Sequence, residues 1–479
     1  MDRRTFLGLS AVFAPTPTAE RDPAMHVINR LTFGPTPELL DYVRSVGVDA
    51  YIEEQLHPEQ LDTGPVENEV ADLFPKASGA PATLYEEVGT RRGPIIQALV
   101  GAAALRAMKS PAQVYERMVQ FWGDHVHVFV NKGPVVYFKP HDDIHVARAH
   151  ALGNFRDLLG ASAHSPAMLI YLDNAQSVAV APNENYAREL LELHTLGVDG
   201  GYTEADIQET ARVLTGWSID GLPARRDDAE GVFRFRPSLH DRGTKTVLGV
   251  TLEGSGEAEG EALLDLLARH PSTARHLATK LVRRFVADDP PAALVDRAAS
   301  EFLATNGDIR AVLRTIFTSE EFRSAPPKLR RPFEYTVAVM RAVMFEVGAT
   351  GPFVRTLIGL LSTMGHIPFN WPAPNGYPDH SAYWTSNLLP RWNTVMAALV
   401  GGRQGAPDYE ALATRILLPD TGGFDGILNR AADLLYGRAL DGAELDVLRT
   451  AAQEVEGGED TKMFAVLALM LMAPPFQSV

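Results

Sequence analysis

The sequence predicts a mainly α-helical protein with a small β-hairpin excursion near residues 231–252 and long ordered loops. Three observations predict it: apolar residues recur at helical spacing, capping residues precede many of these stretches, and one short segment alternates as strands do. Its 479 residues are 46% hydrophobic and 22% charged, as in globular proteins. We expect a signal-like N-terminus over residues 1–24 and a single large helical domain over 25–479, with any subdivision near 346–360.

Capping residues mark the helix starts. Thr36 precedes a proline and an acid, and Gly47 stops the apolar stripe that follows. Ser110, followed by proline, predicts the start of another helix, and Thr203 with Asp206 resembles a capping box. Further helices are predicted for the segments 258–269, 272–286, 291–304, 308–317 and 331–347.

Two segments do not follow the helical pattern. In the first, Phe233 and Phe235 alternate with arginines, and the β-prone run 246–250 follows after a turn signal, which predicts the small hairpin. The second, residues 362–393, is too rich in proline and aromatic residues for a helix. We expect it to be an ordered loop packed on the surface or over a pocket.

The charge balance and the absence of cysteine exclude several classes of function. Lys and Arg number 44 against 60 Asp and Glu, a net charge of −16, which repels phosphate backbones and makes nucleic acid an improbable partner. Neutral or cationic substrates, such as sugars and peptides, are electrostatically easier. Without cysteine, only His and carboxylates remain as strong metal ligands. No apolar run approaches 18 residues, so no transmembrane segment is expected.

The first residues are similar to a twin-arginine export signal. Arg3 and Arg4 precede Phe6 and Leu7, and a short apolar stretch follows. This pattern predicts a periplasmic or extracellular protein. The alternative is an ordinary N-terminus that contains two adjacent arginines.

The densest concentration of functional groups is the run 183–197. On a helix with about 100° per residue, five polar side chains fall on one face, within roughly 140° of one another: Glu184, Asn185, Arg188, Glu189 and Glu192. If this face is solvated, it is an ordinary surface with an Arg188–Glu192 pair. If it lines a cleft, mutual repulsion raises at least one carboxylate pKa, as a general acid requires.

Histidines form a second candidate site. Five of the 14 lie within 26 residues: His125, His127, His141, His145 and His150. Imidazole and carboxylate ligands could hold a divalent metal here, although no HExxH motif accompanies them. Structural histidines are the alternative. Further along the chain, His240 and Asp241 could act as a base and its orienting group, or Asp241 could simply cap a turn.

Several stretches resemble a bacterial family of domains of unknown function, number 1800. The resemblance covers about residues 25 to 479 and is carried, in order, by segments 31–36, 121–125, 148–155, 171–174, 182–197, 214–217, 240–241 and 331–334, and by the proline-rich loop 372–378. It implies an exported protein, often encoded beside a sulfatase-like exported protein. It implies no particular activity.

Three hypotheses follow. The first is an exported hydrolase of a carbohydrate or similar polymer that uses paired glutamates as acid and base, with these catalytic residues: Glu184, Glu189, Glu192, Asp173, Arg188 and His194. Its substrate-binding residues are Asn174, Asn183, Asn185, His240, Asp241 and Trp217. The second is a metalloenzyme in which His125, His150, His194 or His240 combine with those glutamates to hold iron, zinc or copper. The third is a non-catalytic partner of the sulfatase-like protein, in which the polar residues form a structural network.

Overall fold

A computed structural model describes residues 22–221, 231–252, 255–412, 414 and 423–479. Within these ranges the chain is mainly helical with three two-stranded antiparallel sheets, which confirms the predicted fold class. The signal-like segment falls outside the described residues except for its last three positions, so export stays a prediction. None of the helices in these ranges combines the length and apolar character that a bilayer-spanning segment needs.

The N-terminal half is built from helices joined by short loops. In chain order they are α1 (Pro23–Leu31), α2 (Pro37–Val46), α3 (Val48–Gln55), α4 (Gly64–Leu73), α5 (Pro81–Val88), α6 (Gly93–Lys109), α7 (Gln113–His125), α8 (Val135–Asp142), α9 (Phe155–Ala163), α10 (Pro166–Tyr171), α11 (Glu184–Glu189) and α12 (Glu204–Val213). Two of them, α8 and α11, continue directly as π-helical turns, over Asp143–Arg148 and Leu190–Thr195 respectively.

The C-terminal half follows the same plan. Its helices are α13 (Glu257–Ala268), α14 (Pro271–Phe285), α15 (Ala292–Ala304), α16 (Ile309–Phe317), α17 (Glu320–Arg323), α18 (Pro332–Ala342), α19 (Thr350–Thr363), α20 (Leu388–Val400), α21 (Tyr409–Leu412), α22 (Gly423–Tyr436), α23 (Gly442–Glu454), α24 (Glu459–Met472) and α25 (Pro474–Gln477). The segments 258–269, 272–286, 291–304 and 308–317, predicted from periodicity, match α13 to α16 within one residue at each end.

The sheets are short and lie between helices. They pair β1 (Trp217–Ile219) with β2 (Phe233–Phe235), β3 (Thr246–Val247) with β4 (Val250–Thr251), and β5 (Phe345–Val347) with β6 (Gly405–Pro407). The strand region predicted over 231–252 therefore contributes to two sheets, because its first strand pairs back to β1. The β3–β4 hairpin turns at Leu248 and Gly249, whose φ angles of 53° and 75° suit a tight two-residue turn.

Two of the predicted helix boundaries differ from the structure. The helix expected to start at Ser110 starts at Gln113, and the Ser110 hydroxyl accepts a hydrogen bond from the amide of Ala112 instead (3.2 Å). The helix predicted over 331–347 ends at Ala342, because Met344 adopts a φ of 50°, which is outside the helical range. The caps predicted at Thr36 and Thr203 are confirmed, the latter as a full capping box with Asp206.

The apolar interior consists of two clusters. The first runs from Ala24 to Ala325, and the second joins Phe33 and residues 66–108 to the chain beyond Phe333. Helix α6 contributes to both, which explains why apolar residues occupy most of its circumference. Both the single domain and its subdivision near 346–360 stay predictions.

The proline-rich segment is an ordered loop, somewhat shorter than the predicted 362–393. It runs from residue 364 to 387, between α19 and α20, with a 3₁₀ turn over Ser381–Trp384. Its carbonyls accept hydrogen bonds from the body of the protein. The amide of Val130 donates to the Phe369 carbonyl (3.0 Å), and His127 Nε2 donates to the Trp371 carbonyl (2.7 Å). The Tyr171 hydroxyl donates to the Pro372 carbonyl (3.0 Å).

Candidate functional site

The helix that carries the predicted glutamates begins as expected and then changes its geometry. The side chain of Asn183 accepts a hydrogen bond from the amide of Asn185 (2.9 Å) and caps α11. After Glu189 the backbone widens into the π-helical turn 190–195. Such turns are rare and occur often at functional sites. The buried side of the run includes Tyr186 and His194, as the helical pattern predicted.

Glu184 and Arg188 lie on the solvated part of the face. The Arg188 guanidinium pairs with Glu204 (2.7 Å) and with Glu184 (3.5 Å), and all three side chains are at least 40% exposed. The sequence suggested Glu192 as the partner of Arg188, but among the described ion pairs Arg188 contacts only Glu184 and Glu204. Glu184 is thus a surface carboxylate neutralised by a surface arginine. Of the two alternatives for this face, a solvated surface or the lining of a cleft, the first describes Glu184.

Glu189 and Glu192 have the same intermediate exposure as Glu184, but neither forms an ion pair among the described residues. Burial raises the pKa of the Glu189 carboxyl, and the neighbouring Glu192 carboxylate raises it further. Glu192 lies 3.5 Å from the Tyr202 hydroxyl. The pKa of Tyr171 is raised by burial and by Glu189, so this aromatic ring lies on the same side. Glu189 and Glu192 form a carboxylate pair, one member of which holds its proton more tightly than usual.

The predicted neighbours on the 171–174 stretch have different roles. Asp173 is half-exposed with a left-handed φ of 61°, and its carboxylate accepts a hydrogen bond from Lys132 Nζ (2.9 Å). Asn174 is fully buried, and its amide group donates to the carbonyls of Leu214 (3.2 Å) and Trp217 (3.0 Å). Asn174 therefore ties two segments together and is not available to a substrate. The side chain of Asn185, which is exposed, donates to the Leu172 carbonyl (3.2 Å).

His194 points away from the glutamates. It is fully buried, and neither ring nitrogen has a hydrogen-bond partner. Burial, together with the positive charges of Lys280 and His276, lowers its pKa to about 3, so it is neutral at any physiological pH. Its ring centroid lies 6.3 Å from that of His125. A buried neutral imidazole cannot exchange protons with solvent-facing carboxylates, so His194 is not placed to tune Glu189.

His125 connects the π-helical turn that follows α11 to a different part of the molecule. Its Nε2 donates to the carbonyl of His194 (3.0 Å), and because a carbonyl only accepts, the proton must sit on Nε2. Its Nδ1 then accepts from the Lys280 ammonium (2.9 Å). Both ring nitrogens are engaged.

His150 is half-buried, and in the described ranges no group of three or more His, Asp or Glu side chains is arranged to hold a metal.

His240, Asp241 and Trp217 belong to a third region, where the β segments meet α12 and α13. His240 Nδ1 contacts the Thr215 carbonyl (2.9 Å), and its Nε2 lies 3.2 Å from Glu259, which also binds the buried Lys245 (2.6 Å). Asp241 forms a two-point ion pair with Arg212 (2.9 and 3.1 Å) that lowers its pKa to about 2. Trp217 is fully buried against His164 and Phe233. All three residues serve packing and hydrogen bonding.

Sequence reasoning missed a buried network of charges between α7, α14 and α18. The side chain of Glu334 is 5% exposed and forms ion pairs with three guanidinium groups. These belong to Arg117 (3.0 Å), Arg284 (2.9 Å) and Arg331 (2.9 Å). Arg331 also pairs with Asp124 (2.7 Å), and Arg284 lies 3.4 Å from Asp379. Burial alone would raise the pKa of the Glu334 carboxyl, but its arginine partners hold it well below its usual range.

A cavity of about 320 Å³ borders this network. It is lined by Phe121, Asp124, His125, Lys280, Arg283, Arg284, Arg331 and the loop residues 375–380. Three separate stretches that carry the family resemblance, 121–125, 331–334 and 372–378, thus meet at one place. Sequence periodicity predicted α14 only as amphipathic. Lys280, Arg283 and Arg284 are spaced so that they share one face of α14. This spacing was the sequence signal that could have indicated the cavity.

Two further cavities lie beside α7. One of about 650 Å³ is lined by Glu59, Glu67, Glu116, His145 and Arg148 among others, and one of about 50 Å³ shares Glu116 and Arg148 with it. Arg148 and Glu116 form a two-point pair (2.7 and 2.9 Å) at their common wall. Neither these two cavities nor the 320 Å³ cavity is lined by the glutamates of the 184–192 face.

Comparison with known proteins identifies the family of the chain. The model of one family matches residues 26–478, nearly the whole length, and its description is "Protein of unknown function (DUF1800)". No curated protein and no solved structure matches the chain. The resemblance inferred from the motifs is thereby confirmed, and the chain belongs to the DUF1800 family.

Proposed function

We propose that the protein is a hydrolase in which Glu189 and Glu192 act as a carboxylate pair. The observation that carries the proposal is the partial burial of this pair where α11 passes into the π-helical turn, with Glu189 as the last residue of α11, Glu192 within the turn, and the pKa of Glu189 raised by burial and by Glu192. A general acid must hold a proton near neutral pH, which a raised carboxyl pKa favours. Glu184 is excluded from the pair because Arg188 neutralises its charge and because its side chain is accessible to solvent.

Each carboxylate has a distinct role in this reaction. Glu189 protonates the leaving-group oxygen, and Glu192, beside the Tyr202 hydroxyl, acts as the base that activates water or as the nucleophile. Asp173, held by Lys132, lies on the adjacent stretch and supplies a polar contact for substrate. These assignments retain three of the predicted residues, Glu189, Glu192 and Asp173, and leave His194 and Asn174 with structural roles.

The substrate class follows from the openness of the face. Glu189 and Glu192 are partly exposed and do not line any of the three cavities described above. An open face suits a polymer laid across the surface, such as a polysaccharide, better than a small molecule enclosed in a pocket. The twin-arginine-like N-terminus supports a location outside the cytoplasm, where such polymers occur.

The test uses three Glu→Gln variants on the same helical run. With a polysaccharide substrate identified by release of reducing ends, Glu189→Gln and Glu192→Gln should each lower kcat by about 10²-fold or more. Glu184→Gln is the matched control, because it makes the same change at a carboxylate paired with surface arginine, and it should retain activity. The proposal is wrong if both Glu189→Gln and Glu192→Gln keep full turnover.

A second candidate is a non-catalytic exported partner of a sulfatase-like protein. The observation that favours it is that Asn174, His194 and Trp217, three of the predicted functional residues, are completely buried. Buried polar residues of this kind fix the packing of helices. Co-purification of the two proteins at a stable stoichiometry would support this candidate. Independent migration in size-exclusion chromatography at micromolar concentration would contradict it.

A further inference from the structure

The 320 Å³ cavity has an unusual charge for so acidic a protein. Its lining contains four cations, Lys280, Arg283, Arg284 and Arg331, and two carboxylates, Asp124 and Asp379. We propose that this cavity is a binding site for a small oxyanion, of the carboxylate or phosphate type, held chiefly by Lys280 and Arg283. The site is separate from the proposed carboxylate pair and does not depend on it.

The two carboxylates of the lining are already engaged. Asp124 receives the Arg331 guanidinium at 2.7 Å, and Asp379 lies 3.4 Å from both Arg284 and Lys328. Arg284 and Arg331 are in addition bound to Glu334. These groups therefore pair with one another, and among the described residues the remaining two cations of the cavity have no carboxylate within 4 Å, although Asp124 and Asp379 act on Lys280 from a greater distance.

Those two cations are Lys280 and Arg283. They lie three residues apart on α14, so they share one face of that helix. Neither forms an ion pair within 4 Å with a carboxylate of the described residues: Arg283 Nε donates to the carbonyl of Asp288 (3.2 Å), and Lys280 donates only to His125. Arg283 is partly exposed, whereas burial lowers the pKa of Lys280 to about 8, so the charged form of Lys280 is costly unless something neutralises it. An anion in the cavity would do so.

His125 prepares Lys280 for this role. The His125 ring is held by the His194 carbonyl, which fixes the proton on Nε2 and turns the Nδ1 lone pair toward the Lys280 ammonium. One of the three ammonium protons is used in this bond, and two remain available for an anion in the cavity that Lys280 lines. The ammonium is therefore oriented before a ligand arrives, which reduces the entropy cost of binding.

The size and the wall of the cavity limit the ligand. A volume of about 320 Å³ is at the small end of ligand pockets, so it fits a compact anion and excludes a folded chain. The loop closes the cavity at Gly376, which has a φ of +67°, and a Cβ there would lie 2.1 Å from the Asp124 carbonyl oxygen. The loop can approach α7 this closely only with glycine at that position.

Isothermal titration calorimetry of the full chain at low ionic strength tests the proposal, with inorganic phosphate in one arm and succinate in the other. The arm that binds identifies the type of anion. Lys280→Met and Arg283→Met should each weaken binding by about tenfold or more, the range expected for a lost charged hydrogen bond. Arg275→Met is the matched control, because it removes one cation from the exposed face of the same helix, and it should bind as the wild type does.

Folding and conservative replacement are checked with the same proteins. Circular dichroism and thermal unfolding show whether each variant is folded, and Lys280→Arg, which keeps the charge, should restore part of the affinity. The proposal is overturned if the wild type binds neither phosphate nor succinate. It is equally overturned if folded Lys280→Met and Arg283→Met variants bind as tightly as Arg275→Met.

Discussion

Glu334 is the carboxylate at which three buried guanidinium groups converge, and its replacement by glutamine keeps the shape while removing the charge. The partner distances are 3.0 Å to Arg117 and 2.9 Å to both Arg284 and Arg331, and each of these side chains is at most 5% exposed. Removal of one member of a buried ion pair costs about 3–5 kcal/mol, because it leaves the other charge buried and uncompensated. We expect Glu334→Gln to destabilise the protein by at least this much.

The loss is not three times larger, since two of the partners keep another carboxylate. Arg331 retains Asp124 at 2.7 Å, and Arg284 retains Asp379 at 3.4 Å, whereas Arg117 has only Glu334 among the described ion pairs. Unfolding entropy of about 2.1 cal/mol/K per residue gives roughly 1 kcal/mol/K for a chain of this length. A loss of about 4 kcal/mol then lowers Tm by about 4 °C if the chain unfolds as one unit.

The pH dependence gives an independent check. The pKa of Glu334 in the folded protein lies well below its usual range, so the carboxylate contributes stability above the unfolded pKa of about 4.3. That contribution is lost only as the pH falls through the lower, folded value. The difference in stability between wild type and Glu334→Gln should therefore be complete at pH 7 and shrink below about pH 4.

Thermal and urea unfolding, followed by circular dichroism, measure the effect. Glu53→Gln is the control, because Glu53 is also paired with an arginine, Arg314 (2.8 Å), but at an exposed position. Exposed pairs of this kind contribute about 0.2–1 kcal/mol. If Glu334→Gln is no less stable than Glu53→Gln, then the buried arginines do not depend on Glu334 and the reasoning is refuted.

Two further predictions concern the loop and the β region. Gly376→Ala should lower stability in thermal unfolding by clearly more than Gly365→Ala, because both have φ near +70° but only the first places a Cβ against a backbone oxygen, that of Asp124. Equal losses would contradict this. Asp241→Asn should flatten the acid limb of the stability–pH curve between about pH 4 and pH 2, since the pKa of Asp241 beside Arg212 is about 2 and its stabilisation is lost as pH falls through that value. An unchanged acid limb would show that the ion pair does not stabilise the fold.

The local features of the fold were predictable because they depend on neighbouring residues. Caps at Thr36 and Thr203 and the helices α13 to α16 follow from short-range hydrogen bonding and 3.6-residue periodicity. The pairing of β2 with β1 was not predictable, because Trp217–Ile219 is a short strand buried along its whole length, without alternation of buried and exposed residues. Burial of Trp217 between His164 and Phe233 selects this pairing, and that is a tertiary contact.

The candidate site was predictable only as far as one helix determines it. Helical periodicity correctly separated the buried Tyr186 and His194 from the carboxylates, but it assumed a regular α-helix where the chain forms a π turn after Glu189. The partner of Arg188 is Glu204, which belongs to α12 and not to the same helix. Likewise, the network around Glu334 joins α7, α14 and α18, and no local pattern connects residues so far apart in sequence.

The net charge of the whole chain is a poor guide to what each site can bind. The surplus of acidic residues that makes the net charge −16 argues for neutral or cationic substrates, and this argument holds for the open face of Glu189 and Glu192. It fails in the 320 Å³ cavity, where the carboxylates are paired and two cations are left over. Because a charge is screened beyond about 10 Å in dilute salt, the nearest groups decide the potential inside a cavity. A protein this acidic can therefore attract an anion to one internal site while its surface repels anions.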